Sequence, residues 1–286
     1  MTVRRRSLLS AAGVMALCAS TSLSRARAQR GAFGATLADA PVELGGEWPG
    51  SLPDSARRVM ERMRTVCLSG VRLLSDQQPE CLKVDNHTDG PPHIWLHDDR
   101  PTTAWIIVDI GPRDWCKLAY QFGHELGHVL CNSWKRSASP GPPSQWLEEA
   151  TVEAFSIRGL GLLAESWQKA PPFTGDEAFA AAIRQYRANV IKGYRTTDRD
   201  MASWFNANRV ALEKGRPGIE GVAVLSILPL LEEEPTCVED LGALNRWPER
   251  TRLPVETYLG NWQKSCHAIG ASGQLPARIK SLLRIG

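Results

Sequence analysis

Apolar positions along this 286-residue chain change period several times, and each change marks a different kind of segment. Residues 31 to 50 are rich in Gly and Pro, show no periodicity, and read as an extended lead-in. Val59, Met60, Met63 and Val66 then share one helical face, with Asp54 placed to cap the helix and Gly70 to stop it. Four short strand-like runs follow, "VRLL", "CLKV", "HIWLH" and "AWIIVDI", and their turn-rich connections suggest a small, mainly antiparallel sheet. After Gly111 and Pro112 the helical period returns. Asp114 is placed to cap a helix to about Asn132, and Ser144 one to about Trp167. Beyond Pro171 and Pro172, further helices are predicted within residues 175–194, 198–215, 218–234, 254–269 and 277–285. Strands first and helices afterwards is the order of an α+β fold.

The N-terminus has a different character. An arginine cluster, an apolar run from Leu8 to about Ala19, and Ala26-Arg27-Ala28 together predict an export signal over residues 1–28. The order Arg5-Arg6-Ser7-Leu8-Leu9 resembles a bacterial twin-arginine signal, which predicts a periplasmic or secreted protein. The apolar run is shorter than the roughly 20 residues of a membrane span, and the bulky Leu17 before Cys18 argues against lipidation. Losing residues 1–28 removes five arginines and turns the formal charge of +3 into about −2, which argues against a nucleic-acid partner. "GVAVLSILPLL" is too short to span a membrane and reads as a buried helix, so no stable span is expected after signal removal. Residues 29–110 then hold the lead-in, a helix and the sheet, 111–170 a helix pair, and 171–286 a helical region expected to share one domain with what precedes it.

Six cysteines remain in the exported part: Cys67, Cys81, Cys116, Cys131, Cys237 and Cys266. An even number in an exported chain favours disulfides, with Cys67–Cys81 a reasonable local bridge and reduced, buried thiols the alternative. Cys116 and Cys131 would lie about 22 Å apart on one helix, too far to pair.

The chemistry concentrates in "QFGHELGHVLCN". His124 and His128 are four residues apart and project from one helical face, where both can reach a tetrahedral zinc ion. Tyr120 lies on the same stripe. Glu125 is turned about 100° away, which suits it to handle a proton rather than to bind metal. This H-E-x-x-H pattern needs a third ligand. The next predicted helix, "SQWLEEATVEAFS", offers Glu149 and Glu153 on one face, one as ligand and the other to receive the free N–H of a ligating histidine. Glu148 is the alternative ligand.

Residues 121–156 resemble the gluzincin peptidases, the thermolysin-like zinc hydrolases, which carry H-E-x-x-H on one helix and a ligand glutamate on the next. The resemblance implies a zincin-like α+β fold, with a sheet above the metal helix and the metal site on two helices. It also implies a Zn²⁺ cofactor held by His124, His128 and Glu149, Glu125 as general base, Glu153 as the outer partner of a histidine, and a peptide or protein substrate. Cys131 and Trp134 stand where the metzincin pattern needs Gly and His, which excludes that class. Gluzincins also employ a Tyr or His to stabilise the oxyanion; Tyr186, Tyr194 and His267 qualify by type, and Tyr194 is preferred because it follows Gly193 at a predicted helix end. His93, Trp95 and His97 alternate along a strand and read as a polar, solvent-facing edge rather than a second metal site. The alternative function is a zincin fold that holds zinc with little catalysis and serves as a binding protein of the cell envelope. Glu125 argues for the enzyme, since a pure binder needs no base there.

Overall fold

The computed structural model describes residues 36–48, 53–87, 89–138, 141–194, 200–215, 218, 220–248 and 252–285; the predicted export signal lies outside them. Four strands form one sheet: β1 (Val42–Gly46), β2 (Cys81–Asn86), β3 (His93–Ile94) and β4 (Thr103–Val108), in the order β1-β2-β4-β3. The sheet is mixed rather than mainly antiparallel, because β1–β2 and β2–β4 are parallel and only β3–β4 is antiparallel. Asn86 accounts for the shared direction. Its Nδ2 donates to the Glu47 carbonyl at 2.6 Å and to the Ile110 carbonyl at 3.2 Å, and its Oδ1 accepts from the Ile110 N–H at 2.9 Å. One side chain thus joins the C-terminal ends of three strands, which must then run the same way. The nearly continuous burial of β2 and β4 is what parallel strands show.

Two other expectations are corrected. The stretch read as a lead-in contributes β1, and "VRLL" is not a strand. The Leu73 carbonyl accepts from Gln78 Nε2 and the Arg72 N–H donates to Glu239, so side chains satisfy this backbone instead of a ladder.

Eight α-helices are found among the described residues: α1 (Pro53–Cys67), α2 (Trp115–Leu130), α3 (Gln145–Lys169), α4 (Phe179–Gly193), α5 (Met201–Glu213), α6 (Gly221–Glu233), α7 (Val255–Ile269) and α8 (Gln274–Leu283). A 3-10 segment, Pro235–Ala243, lies between α6 and α7. Residues 36–286 form one compact unit. No helix among the described residues is long and apolar enough to cross a membrane.

Glycine brings α2 and α3 close. Gly123 and Gly127 sit four apart on α2, each one residue before a histidine of the motif. A Cβ at Gly127 would come within 2.8 Å of Val152 Cβ, and one at Gly123 within 2.9 Å of Ser156 Oγ. This stripe of missing side chains lets α3 approach until its short glutamates can reach the histidines beside it.

The expected Cys67–Cys81 bridge is not formed; both are free thiols, as are Cys116, Cys237 and Cys266. Cys67 is sealed in the core where α1 meets Gly159 of α3, and burial pushes its thiol up to about 12. Cys81 lies instead on β2, where its thiol faces Glu43 and Arg100.

Candidate metal centre

The side chains of His124, His128 and Glu149 converge, with one ligand atom from each lying within 4.8 Å of the others. His124 Nε2 is 3.5 Å and His128 Nε2 3.3 Å from Glu149 Oε2, and the two imidazole centroids are 5.0 Å apart. Helical spacing on α2 supplies the histidines, and the close approach of α3 supplies the glutamate. Glu148, the alternative ligand, points elsewhere.

Each imidazole is held from behind by its own carboxylate. His124 Nδ1 is 2.9 Å from Glu153 Oε2, and His128 Nδ1 is 2.9 Å from Glu148 Oε1. An ionised carboxylate only accepts, so each Nδ1 carries a proton, and Nε2 is left facing Glu149, where a metal would have to displace the proton that Nε2 shares with that carboxylate. The carboxylates are braced in turn. Glu153 Oε1 accepts from Tyr120 Oη at 2.6 Å and Tyr194 Oη at 2.5 Å. Glu148 accepts a short bond from Ser133 Oγ at Oε1 and one from Asn245 Nδ2 at Oε2, 2.9 Å long. Gln145 Nε2 approaches the remaining oxygen of Glu149 at 3.5 Å.

Glu125 differs from these three glutamates. It is 3% exposed, its Oε2 has no hydrogen-bond partner, and burial raises its pKa above the ordinary carboxylate value. A buried carboxyl without a partner is costly, and such groups gather where chemistry is done. It lines a cleft of about 320 Å³ with His93, Ile94, Leu96, His124, His128 and Glu149. A second hollow of about 290 Å³ opens on the other side of His124 and Glu149, lined by Trp146, Glu153, Tyr194 and Glu220 among others. Gln145 borders both.

The remaining predicted residues divide. Tyr194 lies at the second hollow with its hydroxyl committed to Glu153. Tyr186 packs its ring 5.9 Å from that of Tyr120, and His267 faces the Gly273 turn in the C-terminal region. His97 serves the sheet: Nε2 meets the Thr103 carbonyl at 3.1 Å and Nδ1 accepts from the Arg100 N–H at 3.3 Å. His93 is exposed, as a solvent-facing strand residue would be, yet it forms a wall of the cleft. Tyr120 could have been assigned from its place one turn before His124. Ser133 and Asn245 carry no local signal, and Asn245 is 97 residues from the glutamate it holds.

Burial lowers the tendency of both histidines to protonate, but the carboxylates around them win. Glu149 and Glu153 push His124 up to about 10, and Glu148 and Glu149 raise His128 well above its ordinary 6.5. Burial raises Glu149, but its hydrogen bonds to the two histidines outweigh that and hold it well below the usual carboxylate range. A raised histidine contributes stability that is complete below about pH 6.5 and is lost as pH climbs through the folded value. A depressed glutamate contributes above about pH 4.5 and loses its contribution as pH falls. For these groups, the metal-free protein should gain most between about pH 4.5 and 6.5, and a bound metal, which competes with the shared proton, should add more stabilisation as pH rises. Thermal melts with and without added Zn²⁺ across this range test it; a metal-induced gain that shrinks toward alkaline pH would contradict the assignment.

No family model, curated protein or solved structure matches the chain, so its chemistry rests on the geometry described above.

Proposed function

We propose that this chain is an exported zinc metallopeptidase of the gluzincin kind, hydrolysing peptide bonds in the periplasm or outside the cell. The observation that carries this reading is a buried Glu125 carboxyl, with no hydrogen-bond partner at Oε2, in the same cleft as a two-histidine, one-glutamate donor set.

Two of the three donor separations match those around a tetrahedral zinc ion. Ligands about 2.0–2.1 Å from a tetrahedral ion lie roughly 3.3 Å from one another. Both histidine nitrogens stand at such a separation from Glu149 Oε2, 3.5 and 3.3 Å, longer than the usual optimum for a hydrogen bond. His124, His128 and Glu149 would hold Zn²⁺, while Glu153 and Glu148 keep the imidazoles turned toward it. When bound, zinc supplies Lewis acidity that polarises a carbonyl and makes water easier to deprotonate. Glu125 takes the proton at its carboxylate and returns it to the leaving amine nitrogen. Its raised pKa brings it closer to the working range of a general base than an exposed glutamate would be.

The cleft suits an extended chain. β3 is an edge strand, and His93 and Ile94 line the cleft beside Glu125, so a peptide can lie along this edge using main-chain hydrogen bonds. Pro92, Ile94 and Leu96 give that wall an apolar surface.

The test is cleavage of a mixed peptide library by the purified chain, with a chelator-treated sample and a zinc-restored one alongside. Cleavage that chelation abolishes and zinc restores supports the reading. A zinc-loaded, folded chain that cleaves nothing overturns the enzyme and leaves the zinc-holding binding protein.

A further inference from the structure

The segment after the 3-10 turn reaches the metal centre through one side chain. Asn245 is buried and has a φ of 60°, left-handed backbone that costs most residues about 1 kcal/mol and that Asn tolerates. Its Nδ2 lies 2.8 Å from the Cys131 carbonyl, 3.0 Å from Ser133 Oγ and 2.9 Å from Glu148 Oε2. Its Oδ1 accepts from Tyr258 Oη of α7 at 3.1 Å.

Asn132, just beyond the end of α2, does the reciprocal job. It too is left-handed, with a φ of 62°, and its Nδ2 donates to the carbonyls of Gly242 at 3.0 Å and Leu244 at 2.7 Å. Its Oδ1 accepts from Ser75 Oγ at 2.5 Å. Two asparagines in an uncommon conformation therefore clasp each other's backbone segments. Residues held in such conformations persist where their surroundings require them, often at functional sites.

The two halves of the clasp are not equivalent. Asn132 binds backbone and Ser75, which joins segments. Asn245 also donates to a carboxylate that holds a candidate metal ligand, so a line of contacts runs from Tyr258 through Asn245 and Glu148 to His128 Nδ1. We propose that Asn245 is a positioning residue of the metal centre: by fixing Glu148 it sets the angle at which His128 Nε2 faces His124 and Glu149. This rests on the metal reading above. Without the amide, Glu148 Oε2 loses this donor while Oε1 keeps Ser133 Oγ, so the carboxylate can tilt about Oε1 and the imidazole can follow.

The experiment compares the full chain with Asn245→Gly, Tyr258→Phe and Asp240→Asn. Zn²⁺ affinity is measured by competition with a chromophoric chelator, and ligand geometry by the visible spectrum of the Co²⁺-loaded chain. Glycine suits the left-handed backbone, so Asn245→Gly removes the amide without adding strain. It should weaken Zn²⁺ binding about tenfold or more, the usual scale for an outer partner of a metal ligand, and shift the Co²⁺ spectrum. Tyr258→Phe should shift both in the same direction by less. Asp240 is the stability control: it lies in the adjoining 3-10 segment but accepts from the N–H groups of Gly273 at 2.9 Å and Leu275 at 2.8 Å. Its asparagine variant should melt earlier while keeping the parent's affinity and spectrum. Parent-like affinity and spectrum in Asn245→Gly would overturn the proposal, as would an equal affinity loss in Asp240→Asn, which would mean general loosening. If Asn245→Gly does not fold, Tyr258→Phe decides by the same two readings. A folded parent that takes up neither ion overturns the metal reading and this proposal with it.

Discussion

Alanine at His124 or at Glu149 is expected to lower the metal content of the purified protein from about one ion per chain to near zero. The loss should exceed the roughly 10–100-fold weakening typical of outer partners, because one of only three protein donors disappears. His124→Ala should also destabilise the metal-free chain. It takes from the buried Glu153 the imidazole 2.9 Å away and from the half-buried Glu149 one 3.5 Å away, and a buried carboxylate that loses such a partner is costly to keep. Glu149→Ala removes the acid that both Nε2 atoms face, so it should lower the raised pKa values of the two histidines. Elemental analysis gives the first result and thermal melting the second. If both variants keep the parent's metal content, the ion sits elsewhere and the three-residue assignment is wrong.

The second large effect concerns Glu125→Gln. Here metal content should be unchanged and kcat should fall by about 10²–10⁴, with KM little altered, since glutamine matches the size of glutamate but cannot take the proton. A further consequence separates a catalytic acid from a structural one. Burial raises the Glu125 pKa, so at higher pH its ionised form opposes folding. The glutamine variant should therefore melt at the same or a higher temperature than the parent, with an advantage that sets in above the ordinary carboxylate range and grows as pH rises through the raised value. A variant that loses metal, or melts much earlier, would make Glu125 part of the scaffold. One that cleaves peptides like the parent would remove it from the reaction, and unaltered function without cleavage would favour the binding protein.

Much of the site could be read from residue spacing because its core is local geometry. Four-residue intervals put His124 and His128 on one face of α2 and Glu149 and Glu153 on one face of α3, whatever the rest of the chain does. The same holds for the extent of α1 to α3 and for the change from strands to helices after β4. The glycines before each histidine were visible too, but their purpose depends on which helix approaches them.

What needed the tertiary structure is everything set by contacts between distant segments. Glu148 and Glu149 are neighbours in sequence and plausible ligands alike; Ser133 and Asn245, which arrive from other elements, hold Glu148 behind His128 while Glu149 faces both histidines. Strand direction is not legible locally, because β1 falls in a stretch without strand periodicity, which hides the helical crossover from β1 through α1 to β2, and the tie at Asn86 joins residues up to 39 positions apart. The expected Cys67–Cys81 bridge failed because the two sulfurs belong to different environments, one sealed against α3 and one facing Glu43. His93 became a wall of the cleft only once β3 was set at the edge of the sheet. Periodicity is a property of a few consecutive residues and so determined the helices and the faces of the candidate metal donors; pairing, register and the braces behind those side chains depend on long-range packing, which the folded chain alone decides.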